Sequence, residues 1–405
     1  LKTGEFIMLN RRALFAAASS MGAAVSSFFT GRKVAAKEAY SFDIEPRGSI
    51  GRLERLAALD VESRDDFLTG HRTWYIAKAR PAATKRFMAL MEKAGIDPDS
   101  ETTSIEDIFS AIDGDPILGV EARAGTAVHD LMHRNFNHEF SSNADQYLEE
   151  MEGFDNIGPG TLELNPEISI PDYARYEIHT QPGGYVGNPF SGHIYHYSTN
   201  NFYKGRKMLN YQDELHTNLA SQVPIPQDGK VERILDVGCG IGQLAFGLKE
   251  RFPGAEVWGI DIAAPMIRYG HMRAVELDVD INFAQRLAEY TQFPDNHFDV
   301  VASYILHHEL PKEVSEKVAA EVARILRPGG TFFPIDFLTG NARGRQGAYA
   351  KYMVWKDHRW NEEVWRVEYS QLDFPKALRD AGLEVNEEGP PAWHHRKNLV
   401  ATKVT

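Results

Sequence analysis

Residues 233–245 read RILDVGCGIGQLA, and no other stretch of the 405 residues limits the fold so tightly. Ile234, Leu235 and Val237 make a short apolar run suited to a buried parallel strand. Asp236 lies within that run, and Gly238, Gly240 and Gly242 follow it, spaced two apart. Such spacing lets the backbone turn sharply at the C-terminal end of a strand and admits a ligand where a Cβ would collide. Leu244, Ala245 and Leu248, at helical spacing, then predict a helix whose free N–H groups point back at the loop. Strand, glycine loop and helix together predict a cradle for a small molecule. The loop does not match the G-x-G-x-x-G of dinucleotide domains, and no Lys-Ser or Lys-Thr follows it, which excludes a P-loop.

From about Val231 onward, short apolar strands alternate with helices, the pattern of a doubly wound α/β domain. Pro224, Pro226 and Gly229 mark its boundary. A second strand over 255–260 ends at Asp261, placed to accept hydrogen bonds from both hydroxyls of an adenosine ribose. Ile262 would pack on the adenine face. The third strand is fragmentary within INFAQRLAEYTQFPDNHFD, and FDVVASYI over 298–305 predicts a fourth, running into Leu306-His307-His308-Glu309-Leu310. Val318, Val322, Ile325 and Leu326 predict an amphipathic helix. Arg327-Pro328-Gly329-Gly330 then turns the chain into a strand over 331–335, with Asp336 at its end. Residues 383–385 and 399–402 predict the closing strands, after a helix marked by Leu372, Phe374, Ala377 and Leu378.

The D-x-G-x-G-x-G loop and the motifs that follow it in order, from Ile234 to about Phe333, resemble the class I S-adenosylmethionine-dependent methyltransferases. The resemblance implies an α/β fold with a Rossmann-like, doubly wound seven-stranded sheet whose last strand is antiparallel, preceded by a mainly helical N-terminal domain. It implies S-adenosyl-L-methionine as cofactor and a small-molecule methyl acceptor with an O, N, S or C nucleophile. Cofactor-binding positions carried over are Asp236, Gly238, Cys239, Gly240, Gly242, Asp261, Ile262, Met266, Ala288, Ser303 and Tyr304. Leu287 stands where the family commonly has an adenine-binding acid, so adenine recognition would fall to the Ala288 backbone. His308 and His307, on the rim where open α/β sheets bind ligands, are the candidates to orient or deprotonate the acceptor.

Upstream, residues 1–41 carry Arg11-Arg12 followed by an acid-free Ala/Ser-rich run and the small residues Val34-Ala35-Ala36. This resembles a twin-arginine leader and predicts export, whereas the cofactor is made in the cytosol. A mainly helical domain is expected over 42–152, with Ser104 capping a helix to Ile112 and His129 and His133 sharing one helix face near His138 and Glu139. That cluster is open to a metal, a substrate-pocket or a plain structural role; it lacks the H-E-x-x-H arrangement, and no metal is assigned. Residues 153–228 read as an irregular aromatic and histidine-rich connector and substrate lid, and 229–405 as the methyltransferase domain. Tyr195, Tyr197, Tyr203 and His196 from the lid, with Asp336, are the candidate acceptor contacts, although an aromatic interdomain contact fits the lid equally well.

Net charge and cysteine content remove other classes. At −13, the chain lacks the clustered cations that nucleic-acid binding requires. Cys239 stands alone, so neither an intramolecular disulfide nor a cysteine-based zinc cluster can form. No stable membrane insertion is expected. Two rivals stay open: a non-catalytic nucleoside-binding protein on the same fold, and a metal protein built on the 129–139 histidines.

Overall fold

The glycine loop hangs from the middle of an eight-stranded sheet in the computed structural model, which describes residues 49–50, 52–56, 59–204, 211–337, 347–392 and 397–404. The leader expected over 1–41 lies outside those residues. The strands are β1 (Leu162–Glu163), β2 (Arg233–Val237), β3 (Glu256–Asp261), β4 (Asn282–Gln285), β5 (Phe298–Tyr304), β6 (Leu326–Ile335), β7 (Leu383–Asn386) and β8 (Val400–Lys403). Their spatial order is β1-β4-β3-β2-β5-β6-β8-β7. Pairings from β1 to β6 are parallel, and β8 runs antiparallel to both β6 and β7. The chain order reverses direction beside β2, which makes the C-terminal end of β2 the switch point where open α/β sheets bind ligands.

Alternation along each strand divides the core in two. Leu235 and Val237 face one layer with Ile260, Val301 and Phe332. Ile234 faces the other with Val257, Ala302 and Phe333. Helices α8 (Gln243–Arg251), α9 (Ala264–Glu276) and α10 (Lys312–Ile325) cover the two faces. Val314, Val318 and Val322 give α10 its apolar stripe, and each such side chain withdrawn from water contributes roughly 1.5–3 kcal/mol.

The helical N-terminal layer comprises α1 (Leu59–Trp74), α2 (Arg80–Lys93), α3 (Ile105–Ile112), α4 (Pro116–Ser142) and α5 (Ala144–Phe154). Ser104 caps α3 as the sequence predicts, its Oγ accepting from the Asp107 N–H at 3.0 Å. Helix α11 (Ala348–Trp360), reached after β6, returns to this layer: Tyr352 stacks on Phe87, and the Lys356 ammonium donates to the buried Glu121 carboxylate of α4. Among the described residues no helix is long and apolar enough to cross a membrane.

Two expectations are corrected. The sheet has eight strands rather than seven, because Leu162–Glu163 from the connector pairs with β4 at its open edge; two residues carry no periodic signal. The lid is not irregular throughout: α6 (Ser191–Lys204) and α7 (Tyr211–Gln222) occupy its second half. Phe190, Ile194 and Tyr197 recur at helical spacing and pack on Phe136 and Phe140 of α4.

Candidate functional site

The loop after β2 is turned by Gly238, Gly240 and Gly242, all left-handed with φ of 66°, 56° and 79°. At Gly238 a Cβ would lie 2.5 Å from Leu306, while at Gly240 it would meet little beyond Met266, in the space a ligand needs. The Asp261 carboxylate at the end of β3 pins the loop, accepting from the Gly240 N–H and the Ala263 N–H, each at 2.9 Å. Asp236 Oδ2 accepts from the Ala245 N–H at 3.0 Å and so caps α8, while its Oδ1 is buried with no hydrogen-bond partner. Burial, reinforced by the neighbouring Asp261, pushes the Asp236 carboxyl up to about 8. Burial raises Asp261 too, against the backbone N–H groups it accepts from.

A cavity of about 1440 Å3 opens from this loop. Asp236, Gly238, Cys239 and Gly240 line it from β2 and the loop. Asp261, Ile262, Met266 and Tyr304 line it from the flanking elements. Three expected contacts do not. Gly242 serves helix–sheet packing, since a Cβ there would strike the Phe283 ring at 2.6 Å. Ser303 is buried on the opposite face of β5 from Tyr304, a consequence of strand alternation. Ala288 packs against the sheet core instead of lining the cavity. That neighbourhood is reached by Tyr173, whose hydroxyl donates to Glu289 at 2.6 Å and which does line the cavity.

The far wall is polar. His308, in the short turn His307–Glu309 after β5, faces the cavity, and its Nδ1 is 2.7 Å from Asp336 Oδ1. Asp336 lies behind it and does not line the cavity, also accepting from the N–H groups of His307 and Phe337, so it positions His308. Burial pushes the His308 imidazole down, yet Asp336, Glu363 and Glu309 together outweigh it and the net shift is upward. His179 Nε2 lies 3.2 Å from Glu309 Oε1, and its Nδ1 lies 3.3 Å from Glu363 Oε1. Burial alone would depress His179; Glu363 and Glu309 hold it up at about 9.

The other candidates separate by face. His307 points into the core against Phe374, 4.2 Å between ring centroids, with neither ring nitrogen hydrogen-bonded. It does not line the cavity, because in the turn consecutive side chains diverge. Tyr195 lines the cavity, joined by Tyr185. Tyr197 instead donates to the Glu54 carbonyl, and His196 meets the Tyr269 hydroxyl at 2.8 Å, both on faces of α6 turned from the cavity. The Tyr203 side chain lies outside the described residues. His129 and His133 do share a face of α4, but His129 meets Arg72 through Nε2 and Asn361 through Nδ1, and His138 is exposed elsewhere on the helix. Both nitrogens of His129 are engaged, which removes it as a metal ligand, and His129 and His133 both line the cavity, where the substrate-pocket alternative would put them.

Sequence reasoning missed Tyr173, His179, Asn361 and Glu363. Glu309 stood in the quoted Leu-His-His-Glu run and could have been read from it. The others sit in segments without periodicity and reach the cavity through long-range folding.

With this geometry in place, comparison with known proteins is informative. A methyltransferase-domain family matches residues 234–330. A ubiquinone/menaquinone biosynthesis C-methyltransferase of Cupriavidus necator is 34% identical over 167 residues, 38% of this chain and 67% of that protein. The chain belongs to the class I methyltransferases. The chain is also 38% identical over 106 residues to demethylmenaquinone methyltransferase of Thermus thermophilus, covering 26% of the chain and 47% of the relative. It is 34% identical over 126 residues to a fatty-acid O-methyltransferase of Mycolicibacterium smegmatis, covering 31% and 43%. The chain therefore spans less than half the length of these last two relatives. Phosphoethanolamine N-methyltransferase 2 of Haemonchus contortus, solved with S-adenosyl-L-methionine, aligns over 43% of this chain and 38% of its own at 21% identity and a TM-score of 0.32.

The family's cofactor is S-adenosylmethionine, and the residues present fit it. Asp261 lines the cavity at the end of β3 where a ribose would lie, Gly240 leaves room for close approach, and the unpartnered Asp236 Oδ1 is an acceptor for a cationic group.

Proposed function

We propose that this methyltransferase moves the methyl group of S-adenosylmethionine to a nucleophile on a small-molecule acceptor. The observation that carries the reading is that a single cavity is lined both by the glycine loop and Asp261 and by His308, Glu309 and Glu363. Bound cofactor supplies an electrophilic methyl on a sulfonium. The chain's own contribution is alignment and exclusion of water. Asp261 and the loop fix the nucleoside, and Asp236 offers its buried oxygen to the cationic end. Leu306, packed over Gly238, joins the loop to the acceptor wall. Tyr185 and Tyr195 close the cavity from the lid. An acceptor that arrives protonated meets the His308 and glutamate wall, which holds its nucleophilic atom and takes up the proton.

The names of the relatives include quinone-pathway and fatty-acid methyltransferases, and a hydroxyl-bearing acceptor is the reading most consistent with a wall of histidine and carboxylate. The test is methyl transfer from labelled cofactor to a panel of hydroxylated aromatic and carboxylic acceptors. Cofactor binding without turnover on any of them would favour a non-catalytic binding protein.

A further inference from the structure

His179, His308, Glu309 and Glu363 each place one ligand-type atom within 4.8 Å of the others. The separations recorded are 3.2 Å from His179 Nε2 to Glu309 Oε1, 3.6 Å from His308 Nε2 to Glu309 Oε1 and 4.0 Å from His308 Nε2 to Glu363 Oε2. A tetrahedral centre with bonds of about 2.1 Å has ligand-to-ligand edges of about 3.4 Å, so small side-chain shifts would complete the set. Glu363 is 4% exposed, and the second oxygens of Glu309 and Glu363 are buried without hydrogen-bond partners.

Support behind the cluster has the form that metal sites use. Asp336 fixes His308 through Nδ1 and leaves Nε2 facing the cavity, a carboxylate–histidine pair. Each of the three contributing segments also carries a non-glycine residue in left-handed backbone: His179 at φ 59°, Ile305 at 46° and Glu362 at 56°.

We propose that His179, His308, Glu309 and Glu363 form a site for one divalent first-row transition-metal ion, open on its cavity side to an oxygen of the methyl acceptor. A two-histidine, two-carboxylate set suits Zn2+, Mn2+ or Fe2+. The acceptor role rests on the methyl-transfer reading; the metal site does not. With the ion bound, His308, Glu309 and Glu363 are ligands and no longer take up the acceptor's proton themselves; the ion instead favours loss of the O–H proton to solvent. The oxygen lone pair then forms the bond to the methyl carbon as the carbon–sulfur bond breaks, its electron pair going to sulfur, with no change of oxidation state.

The test uses the full chain purified without an affinity tag, stripped with a chelator and titrated with zinc sulfate or manganese sulfate by calorimetry, with bound metal counted by elemental analysis. The expected result is one ion per chain, with affinity lowered about 100-fold or more in Glu363→Gln and in His179→Gln. Unchanged far-ultraviolet circular dichroism and S-adenosylmethionine binding in these variants would show that they fold. Substoichiometric metal, or equal affinity in wild type and both folded variants, overturns the proposal. Cofactor binding with no metal would leave methyl transfer standing and remove the metal; one tight ion with no cofactor would do the reverse.

Discussion

Asp236→Asn should stabilise the cofactor-free chain and weaken its grip on cofactor. The carboxyl is buried, one oxygen has no partner, and its proton is held to about pH 8 against an ordinary 3.8. Because the folded value lies above the unfolded one, the folded chain keeps a proton that the unfolded chain has lost between those values. Stability therefore falls as pH rises through that window. At pH 7 the accumulated cost is on the order of 4 kcal/mol. Asparagine keeps an oxygen for the Ala245 N–H but buries an unpartnered amide, which returns about 1–3 kcal/mol. The net gain is on the order of 1–3 kcal/mol at pH 7, with no gain at pH 4. Urea unfolding of wild type and variant at pH 4, 7 and 8.5 reads it directly. The same variant should bind S-adenosylmethionine about tenfold or more weakly, having lost the side chain that can ionise against the cofactor's cationic end. A stability difference independent of pH, or a loss growing with pH, would refute the reasoning.

Two further outcomes follow from packing. Gly240→Val forces a β-branched residue into a backbone with φ of 56° and sends its Cβ into the cofactor space, so binding should fall at least tenfold while the far-ultraviolet spectrum is retained. Glu121→Gln strands the buried Lys356 ammonium and should cost about 3–5 kcal/mol in denaturant unfolding, whereas Glu121→Gln with Lys356→Met should recover most of it.

What the sequence made legible was local. The strand, glycine loop and helix over 233–251 follow from apolar runs and glycine spacing, and Asp261 from its place at a strand end. Ser104 was readable because a cap needs only its own next turn. What stayed hidden depended on direction or on distant closure. Nothing in Leu-His-His-Glu says that His307 turns to Phe374 while His308 turns to the cavity. Ser303 and Tyr304 are likewise separated only once the pleat of β5 is placed against its neighbours. His179 and Glu363 are 184 positions apart in the numbering and meet because the connector and the segment after α11 fold over the same rim. The eighth strand likewise exists through its pairing with β4.

The most direct measurement is calorimetric titration of the full chain with S-adenosylmethionine, run beside Asp261→Ala. Wild type should bind one cofactor per chain. The variant loses the carboxylate that pins Gly240 and receives the ribose, and should bind about 100-fold more weakly with its fold intact. Absence of binding by the wild type, or equal binding by the variant, would contradict the assignment of this cavity.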